Sequence, residues 1–189
     1  MRKIIFFSLL VLSQSVFADW VLDKSNSVLN FTTTKNASKT EVQSFNVMQG
    51  DIKGDQATLI IDLSSVDTGI EIRDERLRTL FFNISKFPEA TASLKIASEA
   101  IKAIKLGYSQ EMELYAVIDL YGVKQTLPVV VQVTQLKEGK LLVYSKQPLI
   151  VDLSKFNLLE GVNTLRNIAK LQSINAAVPV TFSLLFMKK

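Results

Sequence analysis

Ser65-Val66-Asp67-Thr68-Gly69-Ile70-Glu71-Ile72-Arg73-Asp74-Glu75-Arg76-Leu77-Arg78-Thr79-Leu80-Phe81-Phe82-Asn83-Ile84-Ser85-Lys86-Phe87-Pro88 is where a strand-type pattern stops, a short helical one begins and an aromatic cluster closes it. Thr68, followed three residues later by Glu71, has the form of a capping box, in which hydroxyl and carboxylate satisfy free N–H groups at a helix start. Gly69 eases the tight entry. Ile70, Leu77, Leu80, Phe81 and Ile84 then recur at near-helical spacing, while Arg73, Asp74, Glu75, Arg76 and Arg78 fall mostly on the opposite side. Asp74 and Arg78 stand at the spacing of an i,i+4 ion pair. The stretch reads as a short lid with one packed and one solvated face.

On both sides of it the period changes to two. Leu29 and Phe31 share a face upstream, Phe45 and Val47 continue the alternation, and Ala57, Leu59, Ile61 and Leu63 form a stripe. Lys35 to Lys39 and Lys53-Gly54-Asp55 are turns. Downstream, residues 90–96 alternate, and 113–120 with 126–135 form a hairpin whose second strand carries Leu127, Val129, Val131 and Val133. Residues 141–144 and 149–153 are two short strands, and Val178, Val180, Phe182, Leu184 and Phe186 mark a closing one. A second short helix is expected between Ser154 and Leu171, while Ser98 to Leu106 suits a strand or a helical turn equally. Many strands with polar turns and no βαβ rhythm indicate an all-β, antiparallel barrel or sandwich.

Met1-Arg2-Lys3, the apolar run Ile4 to Leu12 and Val16-Phe17-Ala18 have the three parts of a cleaved export signal. Residues 1–18 are therefore expected to leave, with 19–189 as one exported domain, and no integral membrane span is expected. Removing Arg2 and Lys3 brings 22 basic side chains closer to the 18 acidic ones. That balance, without a basic-aromatic run, argues against nucleic acid as a partner. With no histidine and no cysteine, a Ser-His-Asp triad, a Cys-His pair, disulfides and ordinary zinc sites are excluded. Phosphate-cradling glycine loops and dinucleotide fingerprints are missing too. No cofactor and no metal is expected. Asp67, Glu71, Asp74 and Glu75 remain for acid–base work, but the neighbouring arginines would keep them ionised.

Asp67-Thr68-Gly69, Arg73-Asp74, Leu77-Arg78, Phe81-Phe82 and Phe87-Pro88, in that order, resemble the signature of the YceI-like proteins, periplasmic lipocalin-like barrels associated with polyisoprenoid binding. Val47-Met48-Gln49-Gly50-Asp51-Ile52 and Leu120-Tyr121-Gly122-Val123-Lys124-Gln125 are similar to two further segments of that family. The resemblance implies an eight-stranded lipocalin-like barrel, a periplasmic location and a ligand that is a long-chain isoprenoid or other amphiphilic lipid. Closure would remove exposed strand edges, and a barrel of this size can hold one small ligand.

The candidate tunnel comprises Phe31, Phe45, Leu59, Ile61, Leu77, Phe81, Phe82, Val131 and Phe182; the alternative is an ordinary filled core. Arg76 and Arg78 are the candidate rim for a phosphate or quinone head group. Arg73 and Asp74 read either as an ion pair fixing the lid or as a polar mouth. No catalytic residue is assigned. The functional expectation is a periplasmic binding or carrier protein. The alternatives are a cofactor-independent carboxylate enzyme on an apolar substrate and a non-binding structural or stress-response partner. Oligomeric state stays open.

Overall fold

The computed structural model describes residues 20–189, so the expected export segment, residues 1–18, lies outside the described residues. The strands are β1 (Trp20–Leu22), β2 (Val28–Lys35), β3 (Lys39–Phe45), β4 (Met48–Lys53), β5 (Gln56–Asp62), β6 (Val66–Asp67), β7 (Glu89–Lys95), β8 (Ser109–Leu120), β9 (Val123–Gln135), β10 (Leu141–Ser145), β11 (Leu149–Asp152) and β12 (Ala177–Lys188). Pairing merges these segments into eight staves. β1 with β2, β3 with β4, β5 with β6, and β10 with β11 are each one strand broken by a short irregular step, because both pieces face the same neighbours. The order around the ring is the chain order, every pairing is antiparallel, and β12 closes it against β1 and β2. The result is a closed eight-stranded antiparallel barrel.

The longest hairpin shows why the register holds. β8 and β9 pair from Ser109↔Thr134 to Leu120↔Val123, and the two-residue turn Tyr121-Gly122 has φ of 56° and 73°. Two positive-φ residues in succession give the turn twist that matches right-handed strands. Val129, Val131 and Val133 are buried inward while Lys124, Thr126 and Pro128 face out. Apolar-in, polar-out alternation is the reverse of a lipid-facing barrel. Among the described residues no helix is long and apolar enough to cross a membrane.

Two long connections, 68–88 and 153–176, meet at one end of the barrel and cap it. The first holds α1 (Glu71–Arg76), which runs into a π-helical turn, Leu77–Phe81; the second holds α3 (Leu159–Ile168). The opposite end is closed by α2 (Ser98–Lys102), which settles the open segment as a helix and adds one to the expected pair. Ile101 and Ile104 of that region are buried at 1% and 5% exposure. Asp55 of the β4–β5 turn accepts the Ser98 N–H at 2.8 Å, tying the helix start to the sheet.

The lid departs from its sequence reading in three ways. Its helix starts at Glu71 with Ile70 as N-cap, too late for Thr68 to cap it. The bond instead runs backwards: buried Asp74 accepts from the Thr68 N–H at 2.9 Å and its hydroxyl at 2.6 Å. Asp74 therefore pairs with neither Arg78 nor Arg73. Arg78 is held by Glu71 (2.6 Å) and Glu75 (3.2 Å). Finally, Ile70 and Leu80, expected on the packed face, are exposed. Ile70 is extended backbone before the helix, and the π turn, with Phe82 N–H bonded to Leu77 C=O at 2.8 Å, changes the angular spacing after Leu77.

Candidate functional site

That π turn places two consecutive phenylalanines in the core. Here Phe81 and Phe82 are both buried, their ring centroids 4.8 Å apart. The aromatic run continues into the barrel wall, from Phe82 to Phe45 at 5.9 Å and from Phe45 to Phe31 at 5.1 Å. α3 sits close on top: a Cβ on Gly161 would come within 2.8 Å of the Phe81 ring.

Beneath this aromatic layer lies a cavity of about 200 Å³, and deeper in the barrel one of about 110 Å³. Leu59, Ala92, Ile118, Leu149 and Phe182 form walls of both, so the two are consecutive chambers along the barrel. Their existence follows from side-chain size. β7 contributes Ala90 and Ala92 to the interior, and β8 contributes Ala116, where larger residues would fill the bore. No ionisable side chain lines either chamber; the polar groups are Thr33, Thr58, Thr91 and Asn175.

A third cavity, about 350 Å³, opens beside α1 and shares Phe31, Thr33, Leu77, Leu165 and Ile174 with the upper chamber. It is the vestibule. Lys35, Lys39, Arg73 and Arg76 line it. Glu41 holds three of these cations: it bonds Lys35, meets Arg73 at 2.9 Å and Lys39 at 3.3 Å. The Lys35 hydrogen bond, with the added field of Lys35 and Arg73, pulls the Glu41 carboxyl down to about 2. Three cations on one carboxylate, with Arg76 beside them, leave the vestibule positive. Between vestibule and upper chamber, buried Gln43 donates its amide to Thr33 at 3.1 Å.

Residues 20–186 match the YceI-like domain family. The chain belongs to the YceI-like family. A polyisoprenoid-binding domain from Saccharophagus degradans, implicated in plant cell wall breakdown, is 32% identical over 90% of this chain and 98% of its own, with a TM-score of 0.87. BcnA of Burkholderia cenocepacia shares the fold at 19% identity, covering 87% of this chain and 98% of its own, with a TM-score of 0.68. The Campylobacter jejuni YceI protein does so at 17% identity, 78% and 85% coverage and a TM-score of 0.55. No curated protein matches the chain.

In this YceI-like barrel the nine tunnel candidates all border a chamber. Phe31, Phe45, Ile61, Leu77, Phe81 and Phe82 line the upper one, Val131 the lower one, and Leu59 and Phe182 both. Arg76 reaches the vestibule, whereas Arg78 lies outside its walls, occupied by Glu71 and Glu75. Of the two residues read as a pair, Arg73 fixes the lid to the barrel through Glu41 and also lines the mouth; Asp74 does neither. Sequence reading passed over Lys35, Lys39, Gln43 and Thr33. The inward alternation of Phe31, Thr33 and Lys35 along β2, and of Lys39, Gln43 and Phe45 along β3, is the signal that could have found them.

Asp67 is pulled below its usual range, first by the Gly69 N–H and then by Asn46. Among the described residues no cluster of three or more potential metal ligands occurs.

Proposed function

We propose that this YceI-like protein is an exported periplasmic carrier that takes the isoprenoid tail of a quinone or prenyl lipid into the barrel and keeps its polar head in the vestibule. The observation that carries this reading is the series of two apolar chambers and one basic mouth joined by shared walls. Burial of a tail is worth about 0.8 kcal/mol per methylene, so an unbroken apolar bore is sufficient for binding, and its length and width set selectivity. Lys35, Arg73 and Arg76 would meet a phosphate or the carbonyl of a quinone. The 32% identical Saccharophagus degradans domain binds polyisoprenoid, which supports the tail class. Residues 1–18 support export. With no ionisable group in the chambers, the protein holds its cargo rather than turning it over.

The test is native mass spectrometry with lipid extraction on protein purified from the periplasm without detergent. Isoprenoid in stoichiometric amount, lost when Ala92→Phe blocks the junction of the chambers, is the expected result. Protein that emerges empty and takes up neither added quinone nor polyprenyl phosphate overturns the carrier reading.

A further inference from the structure

The two capped ends of the barrel treat their isoleucines in opposite ways. At the α2 end Ile101 is buried, though Leu106 and Tyr108 are exposed, whereas Ile70 and Ile72 at the vestibule and Leu80 farther along the lid are 45%, 57% and 47% exposed. Ile72 and Arg76 stand one turn apart on the outer side of α1, Leu80 is exposed on the π turn that follows, and Ile70, Ile72 and Arg76 border the opening itself. Across the opening stand Ala169 and Leu171, with exposed Lys170 between them. The acidic groups nearby are already engaged: Glu41 with Lys35, Lys39 and Arg73, and Glu71 and Glu75 with Arg78. Exposed apolar side chains beside Arg76 and Lys170, which have no carboxylate partner among the described residues, are complementary to one kind of surface, an anionic bilayer, where the isoleucines enter the acyl boundary and the cations meet phosphates.

We infer that the vestibule end of this protein docks on anionic lipid membranes, with Ile70, Ile72 and Leu80 inserted and Arg76 and Lys170 at the headgroups. The inference rests on the carrier reading for its purpose, since a docked mouth lets a tail pass from bilayer to barrel without crossing water. It rests on the geometry of the lid for its location. The docked state holds the barrel on its lid end, leaving α2 and Tyr108 remote from the bilayer.

The chain has no cysteine, so single-cysteine probes report one position each. The experiment uses processed protein and cargo-free vesicles of phosphatidylglycerol and phosphatidylcholine, with phosphatidylcholine alone as the neutral surface. An environment-sensitive dye on Leu80→Cys should shift to the blue on the anionic vesicles, and the same dye on Tyr108→Cys should not. In sedimentation, Ile72→Ser combined with Leu80→Ser should lower partitioning about tenfold, and Lys170→Gln about fivefold. Partitioning should also fall as salt is raised. Absence of partitioning, a shift at Tyr108 without one at Leu80, or a double variant that still partitions like the parent would each overturn the proposal. Running the Ala92→Phe chain in parallel separates the two readings, because loss of tail uptake and loss of vesicle binding are then independent results.

Discussion

The floor and the lid of this barrel are each a short helix tied down by a carboxylate, yet they differ in what lies beneath them. Asp55 fixes α2 to the sheet, and Ile101 of α2 with Leu141 and Val133, each 1% exposed, borders the smaller chamber beneath it. Glu41 fixes α1 to the barrel, Asp74 ties α1 to Thr68 within the lid, and under it lies the larger chamber. Each end thus caps a cavity, the smaller one at the floor; the floor is held chiefly by apolar packing, while the lid adds polar bonds to its aromatic packing. Contacts of the first kind are numerous and short-ranged, so they fail together; polar tethers are few, and each can be released singly.

The largest effect that would break this comparison is in packing. Ile101→Ala should cost about 2–5 kcal/mol, because a side chain only 1% exposed is removed and the smaller chamber it borders grows. Leu77→Ala, where the side chain is only half-buried, should cost about half as much or less. Urea unfolding measures both, and equal losses would mean that the lid is as tightly packed as the floor. Next comes the lid's internal tie. Asp74→Ala removes the acceptor of the Thr68 N–H and should cost about 1–3 kcal/mol, whereas Asp74→Asn, which keeps an accepting oxygen, should cost less. Hydrogen exchange should show the loss confined to residues 68–88 and leave the amides of α2 unchanged.

The smallest effect sharpens the contrast through pH. Glu41 titrates at about 2 in the fold against 4.5 ordinarily, so its contribution is fully present above about pH 4.5 and is lost as pH falls through about 2. Partial exposure of the pair screens this contribution to about 1 kcal/mol. Glu41→Gln should remove the part of the acid-induced loss that is read at the lid, checked by comparing lid exchange rates near neutrality and below pH 4 in parent and variant.

Fold and tunnel were legible in the chain to very different depths. Alternation at Leu59 and Ile61, at Val129 to Val133 and along Val178 to Phe186 placed the interior stripe correctly, because a strand's period of two leaves no freedom about which side chains share a face. The paired Phe81-Phe82 announced an aromatic layer, but not the π turn that turns both rings inward. The lid's polar bonds were misread at Thr68, Asp74 and Arg78 for a common reason. Spacing along a helix ranks possible partners, whereas the partner chosen depends on where the helix starts, and here it starts at Glu71.

By itself, then, the sequence determined an antiparallel all-β chain, the inward-facing residues, the position of the lid and the absence of histidine and cysteine chemistry. These follow from local periodicity and composition, which each segment carries independently of the rest. Tertiary structure alone decided that the bore is divided into chambers, that Lys35, Lys39, Arg73 and Arg76 converge on one mouth, and that Arg78 does not. Those are meetings of β2, β3, α1 and the segment after α3, brought together when β12 closes the ring, and no window of sequence contains them all.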